Sequence, residues 1–208
     1  MIIDLEHFSK FSTIISYFSG VKERIGFYLK GRHRDLPYTT AVPFQDNQHT
    51  IYNFLNLIKH LGINTKNNKL VKLNTSKETK DYIDNILFEN KINKKDILIG
   101  ININSSDYAI ARRWSKEKFA RLADMIIEKY HAKVVFIGAK FDKDYVDSTL
   151  NLMKNKAINL SGKTNIEELA ELLTRFDLFI SNDSGPLHIA TAMITPTISF
   201  FGPETPQL

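Results

Sequence analysis

Cysteine is absent from this 208-residue chain. Its absence excludes a disulfide framework, a thiolate metal site and a cysteine nucleophile. No apolar run approaches the roughly 20 residues that span a bilayer as a helix. The opening residues carry Asp4 and Glu6 and lack the apolar centre of a secretory signal. The sequence therefore predicts a cytoplasmic protein. There is no internal repeat, no low-complexity tract and no basic stripe with interleaved aromatics, so no nucleic-acid partner is expected. A complete P-loop is missing as well. Gly162-Lys163-Thr164 resembles the end of one, but the position five before Gly162 is Ala157 rather than glycine.

What is present is an ordinary globular composition, 43% hydrophobic and 25% charged. A chain of this length buries most of its apolar surface, so a true core is expected. Lys and Arg total 28 against 23 Asp and Glu, a net charge of +5. The excess is modest and spread out. It suits anionic partners: phosphorylated substrates or an anionic membrane surface.

Residues 1–70 are rich in aromatics and irregular in pattern. Phe8, Phe11, Ile14, Ile15 and Phe18 recur at helical spacing, and Gly20 is placed to end that helix. A short strand is expected over Arg24–Tyr28, loop over residues 31–48, and a second helix over residues 50–60 with Phe54, Leu57 and Ile58 inward. Thr75 with Glu78 reads as a capping box for a third helix, taken here as a connecting element. From Asp96 the pattern turns regular. Strands are expected over residues 97–103, 134–138, 157–160, 178–181 and 197–201, with helices between them. Ser115 is the expected cap of one helix, and Thr164 with Glu167 forms the capping box of another. Alternating strands and helices joined by right-handed crossovers give a doubly wound parallel sheet. The expected division is 1–75, 76–95 as connecting helix and linker, and 96–208. The chain starts with no expected strand-loop-helix lead-in and stops soon after a strand at residue 201, which predicts a fragment of a longer protein.

Open parallel sheets bind ligands at the carboxyl ends of their strands, beside helix N-termini. Asp183-Ser184-Gly185-Pro186-Leu187-His188 follows one strand and opens a helix. Gly185 permits close backbone approach, Ser184 adds a hydroxyl, and a helix N-terminus attracts phosphate. The competing reading is an Asp or Ser helix cap, Asp183 or Ser184, with a glycine turn, and His188 as a structural hydrogen-bonder. Asn104-Ser105-Ser106 begins a polar loop that ends in Arg112-Arg113-Trp114. Arginine offers a two-pronged donor to phosphate, and its plain alternative is a solvated charge. Trp114 reads as a staple on the helix that follows.

In order, the segments Arg113-Trp114-Ser115, Val134-Val135-Phe136-Ile137-Gly138, Asn159-Leu160-Ser161-Gly162-Lys163-Thr164, Ser181-Asn182-Asp183-Ser184-Gly185-Pro186-Leu187-His188 and Phe200-Phe201-Gly202-Pro203 resemble glycosyltransferase family 9, the ADP-heptose lipopolysaccharide heptosyltransferases. The early segments Asp4-Leu5-Glu6 and Arg24-Ile25-Gly26-Phe27 resemble the latter part of that family's N-terminal domain. The resemblance implies an α/β fold of GT-B type. It would have a doubly wound, Rossmann-like C-terminal domain for the nucleotide-sugar and a partial N-terminal domain on the acceptor side. It also implies inverting, metal-independent transfer of a heptose or related sugar from an ADP-sugar to a lipopolysaccharide core acceptor. No cofactor is implied, and the location is cytoplasmic with peripheral association at the inner membrane face. By the same resemblance Ser105, Ser106, Arg112, Asp142, Asp183, Ser184, Gly185 and His188 bind the donor, Asp142 at the ribose. Lys140 departs from the common pattern near Asp142. The general base is expected upstream of Met1, so a catalytic residue is not assigned. Two other readings stand beside this one: a UDP-sugar epimerase-like enzyme, and a nucleotide-sugar-binding module without transferase activity.

Overall fold

The computed structural model describes residues 1–31, 33–63, 70–105 and 113–202. The chain divides into two compact units, residues 1–69 with 207–208 and residues 70–206.

The first unit holds β1 (Ile2–Asp4), α1 (Lys10–Phe18), β2 (Arg24–Tyr28), β3 (Thr40–Pro43) and α2 (Thr50–Lys59). Its three strands are parallel, in the order β1-β2-β3. Two of them correct the sequence reading. The chain opens with strand, turn and helix, and β3 lies inside the stretch expected to be loop. Both strands are short, three and four residues, so neither shows a full alternation. α1 forms where the apolar spacing puts it, with Ser9 as its N-cap and Gly20 just beyond its end at φ +69°. Its burial is the reverse of the usual pattern. Thr13 and Ser16 are buried, while Phe11 and Phe18 are 71% and 80% exposed. The polar stripe is inward because a polar cluster waits for it. Asp4, Arg34 and Tyr38 are buried together; Arg34 pairs with Asp4 at 3.2 Å, and Tyr38 Oη lies 3.0 Å from Thr13 Oγ1. Burial and the Asp4 hydrogen bond push the Tyr38 phenol up from its ordinary value. The apolar core of this unit is small: Ile25, Phe27, Val42 and Leu57.

The second unit contains α3 (Lys77–Glu89), β4 (Leu98–Asn102), α4 (Lys116–Tyr130), β5 (Lys133–Phe136), α5 (Lys143–Leu150), β6 (Ile158–Asn159), α6 (Ile166–Leu173), β7 (Leu178–Asn182), α7 (Gly185–Ala192) and β8 (Thr197–Phe200). All five strands are parallel, in the order β6-β5-β4-β7-β8. Strand side chains alternate between two apolar layers, as pleating requires. Ile99, Ile101, Val134, Phe136 and Ile180 pack with Phe119, Ala123 and Val146 of α4 and α5. Leu98, Val135, Ile137 and Phe179 pack with Ile83, Leu172, Leu173 and Ala190 of α3, α6 and α7. Gly100 faces that second layer. A Cβ there would stand 2.2 Å from the Phe176 ring, so glycine makes the room.

α3 is therefore part of the second unit's core rather than a connector. A clasp of hydrogen bonds ties its start to α6. Thr75 Oγ1 donates to Glu171 at 2.6 Å, and Glu167 accepts from the Ser76 amide at 2.7 Å and from Thr79 Oγ1 at 2.9 Å. Two caps fall one residue later than the spacing suggested. Ser76, not Thr75, caps α3, because Thr75 is engaged by Glu171. Asn165 with Glu168, not Thr164 with Glu167, closes the box on α6, because Glu167 is turned to α3. Ser115 caps α4 by backbone position alone, with no side-chain hydrogen bond. Trp114 staples that helix. Its ring meets Phe119 edge-on at 5.0 Å and stacks on Phe200 at 4.5 Å.

Candidate functional site

The strand order reverses direction at β4, with β5 on one side and β7 on the other. At that switch the loops after neighbouring strands diverge and leave a crevice. Here the crevice is a cavity of about 550 Å³ that lies wholly in the second unit. Its floor is Asn102, Asn104 and Ser105 at the end of β4. One wall is Gly138, Phe141 and Asp142 after β5, with Thr164, Ile166 and Leu169 after β6 and on α6. The opposite wall is Ser184, Gly185 and Pro186 where α7 begins. The β5 and β6 side thus carries the large apolar side chains, Phe141, Ile166 and Leu169, beside Asp142 and Thr164, and the β7 side carries the Ser184 hydroxyl and a helix N-terminus. That division suits a ligand with a planar apolar part and an anionic part.

The floor is held by a buried polar network. Asn102 donates from Nδ2 to Ser184 Oγ at 2.8 Å and to Ser181 Oγ at 3.1 Å, and accepts from the Asn104 amide at 3.2 Å. Asn104 donates from Nδ2 to the Ile137 carbonyl at 3.3 Å. Asn182 donates to the Ile103 carbonyl at 2.8 Å and accepts from the Trp114 amide at 3.0 Å. The ends of β4, β5 and β7 are thereby tied together by side chains that span strands. Two glycines keep the loops close. Gly138 has no space for a Cβ beside Asn104 at 2.7 Å. Gly162 sits at φ +74° with the Lys140 Cα 2.8 Å from a notional Cβ.

Ser105, Asp142, Ser184 and Gly185, singled out from the sequence, all line this cavity. Asp142 closes a turn of 3₁₀ helix, Lys140–Asp142, by accepting from the Ala139 amide through Oδ2 at 2.8 Å. Its Oδ1 has no protein partner among the described residues. Of the two cap candidates, Ser184 is the N-cap of α7, by backbone position alone: its hydroxyl makes no cap hydrogen bond. Asp183 is half-buried, and its amide donates to the Phe200 carbonyl at 3.1 Å. His188 is exposed on α7, and neither it nor Asp183 is part of the cavity wall. Ser106 and Arg112 lie outside the described residues. Arg113 donates to the Ser105 carbonyl at 2.8 Å and lies over the Tyr145 ring at 5.2 Å. Burial pushes the Tyr145 phenol up from its ordinary value, against the opposing pull of Arg113.

Sequence reasoning passed over Asn102 and the apolar wall of Phe141, Ile166 and Leu169, and took Asn104 only as the start of a polar loop. The asparagines carried one available signal. Amide side chains at alternate positions inside a run of buried isoleucines need partners, and partners for both exist only at a strand end.

The family model described as glycosyltransferase family 9 (heptosyltransferase) matches residues 1–208. The chain belongs to glycosyltransferase family 9. Among curated relatives, this family 9 chain is 32% identical over 105 residues to lipooligosaccharide heptosyltransferase 2 of Haemophilus influenzae, covering 49% of this chain and 30% of that protein. Among solved structures, the glycosyl transferase family 9 protein of Veillonella parvula overlays with a TM-score of 0.80 at 25% identity, over 95% of this chain and 56% of that one. The E. coli ADP-heptose lps heptosyltransferase II overlays with a TM-score of 0.74 at 20% identity, over 99% of this chain and 63% of that one. The fold class is α/β of GT-B type. The chain spans about a third of that curated relative and somewhat over half of those structures.

Proposed function

We propose that this chain carries the donor site of a glycosyltransferase that moves a heptose or related sugar from an ADP-sugar to a lipopolysaccharide core acceptor. The observation that carries the reading is the switch-point cavity with its divided lining. A purine and ribose fit the side of Phe141, Ile166 and Asp142. A diphosphate fits the side of Ser105, Ser184 and Gly185 at the start of α7. The names of similar proteins support the same donor and acceptor: a lipooligosaccharide heptosyltransferase and an ADP-heptose lps heptosyltransferase.

Transfer proceeds with inversion as the acceptor hydroxyl attacks the anomeric carbon and the nucleoside diphosphate leaves. Negative charge grows on the diphosphate, and hydroxyl and backbone N–H donors aimed at it stabilise that charge without a metal. Arg112 is assigned to the diphosphate on the family resemblance alone, and Asp183 accepts from sugar hydroxyls. His188 is assigned to the donor sugar at the mouth of the site. A general base outside the described residues takes the acceptor proton. Placement at the inner membrane face belongs to the same reading, supported by the net charge of +5. Co-sedimentation with anionic vesicles that fades as salt rises tests it, and indifference to both overturns it.

The cavity is built from the second unit alone, which also favours a donor-binding module that does not itself transfer sugar. Thermal unfolding with ADP, UDP and GDP, each with and without magnesium, tests the donor assignment. A rise in midpoint with ADP alone, unchanged by magnesium, is expected. A rise with UDP alone points to the epimerase-like alternative, and no rise with any nucleotide removes the reading. Sugar release from an ADP-heptose, measured with acceptor present, separates transferase from module.

A further inference from the structure

We propose that Asn102 is a positioning residue that presets the Ser184 hydroxyl as a donor toward an anionic ligand. The proposal rests on the reading of the cavity as a nucleoside-diphosphate site.

The orientation of the Asn102 amide is fixed by its neighbours. Its Oδ1 faces the Asn104 backbone N–H at 3.2 Å, and a backbone N–H can only donate. Nδ2 must therefore face Ser184 Oγ at 2.8 Å and Ser181 Oγ at 3.1 Å, donating to both. Asn102 is 2% exposed, so water does not compete for these bonds.

The direction of the remaining bonds follows. Ser181 spends its only proton on the Asn182 carbonyl at 2.7 Å. It cannot also donate to Ser184, which lies 3.1 Å away, so in that contact Ser184 is the donor. Ser184 Oγ accepts from Asn102 and keeps one proton to give. Without ligand that proton rests on Ser181. With an anion in the cavity it turns outward. Ser184 makes no competing bond to its own helix, since its side chain does not cap α7. Asn102 itself does the orienting from below; by filling one of the two lone pairs of Ser184 it biases the hydroxyl to present its proton, rather than its oxygen, to the cavity.

A residue that only held the fold would affect any ligand of the cavity alike. One that sets hydroxyl polarity affects the charged part of the ligand alone. The full chain and its Asn102→Ala, Ser184→Ala and doubly substituted forms are titrated with ADP and with adenosine. Asn102→Ala is expected to weaken ADP about tenfold, the order of a hydrogen bond to a charged group. Adenosine should change by less than about twofold, as it lacks the phosphates such a bond would serve. The double form should bind ADP no more weakly than Ser184→Ala, because Asn102 acts through Ser184. Equal losses for ADP and adenosine, or additive losses in the double form, overturn the proposal while leaving the nucleotide site intact. A parent chain that binds no nucleotide overturns both. If Asn102→Ala fails to fold, Ser181→Ala decides the matter. It removes the resting acceptor, with the Ser181 bonds to Asn102 and the Asn182 carbonyl, but keeps the Asn102 bond to Ser184, so ADP affinity should stay within about twofold; a loss as large as that of Ser184→Ala refutes the bond directions derived above.

Discussion

At the scale of single residues, the site depends on positions where one atom more or fewer changes the geometry. Gly162 holds the β6 loop against Lys140 at φ +74°, with no room for a Cβ. Gly162→Ala should cost roughly 1–3 kcal/mol, since strain in the left-handed region adds to a backbone clash. Chemical denaturation measures it, and a cost near zero would mean that the loop relaxes freely. The residues that make this loop tight were partly legible. Gly162 is visible as part of a phosphate-loop-like triplet, and Ala157 in place of a companion glycine argues against a P-loop. The roles of Asn102 and Asn104 in the network were not legible, because their partners Ser181, Ser184 and Ile137 come from segments distant in the chain.

At the scale of elements, two devices fix the layers around the sheet. Trp114 is the chain's one tryptophan, and its stack on Phe200 joins the start of α4 to the end of β8. Trp114→Ala should cost about 2 kcal/mol from two ring contacts and their burial. Circular dichroism during denaturation is the measurement, and an unchanged midpoint would show the staple to be ornamental.

The other device is the clasp between α3 and α6. Burial pushes the Glu171 carboxyl up, but the Thr75 hydroxyl and the Arg175 guanidinium outweigh it and hold the group below its ordinary 4.5. A carboxylate with a lowered folded-state pKa stabilises above its ordinary value and loses that contribution as pH falls through the folded value. Stability should therefore drop below pH 4.5 more steeply in the parent than in Glu171→Gln. Parallel pH profiles of the unfolding midpoint would contradict this. Local pattern located both helices but misplaced both caps by one residue. Cap choice between adjacent candidates was settled by which side chain the opposite helix had already engaged.

At the scale of the molecule, the second unit has a deep two-layered core and a ligand cavity, whereas among the described residues the first has a small buried cluster of Ile25, Phe27, Val42 and Leu57 and a buried ion pair. Trp114 reports on the second unit, where the cavity lies. With ADP at about a hundred times its dissociation constant, stability should rise by roughly 2.7 kcal/mol. The Trp114 fluorescence transition should then move up by roughly 5–10 °C. A shift seen only by probes of the first unit would place the ligand elsewhere.

The sequence by itself determined the regular half of the fold. Runs such as Val134-Val135-Phe136-Ile137 can lie only in a sheet covered on both faces, and the alternation of such runs with amphipathic helices leaves a doubly wound sheet as the natural solution. It also pointed to two of the loops that line the cavity, the one after β4 and the one that opens α7, since both follow strands. Tertiary structure alone decided the rest. Strand order set which loops converge at β4, long-range hydrogen bonds chose the caps and oriented Asn102, and the buried Asp4–Arg34–Tyr38 cluster turned the polar stripe of α1 inward. Each of these depends on partners distant in the chain, and the local periodicity of a segment carries no information about what will be packed against it.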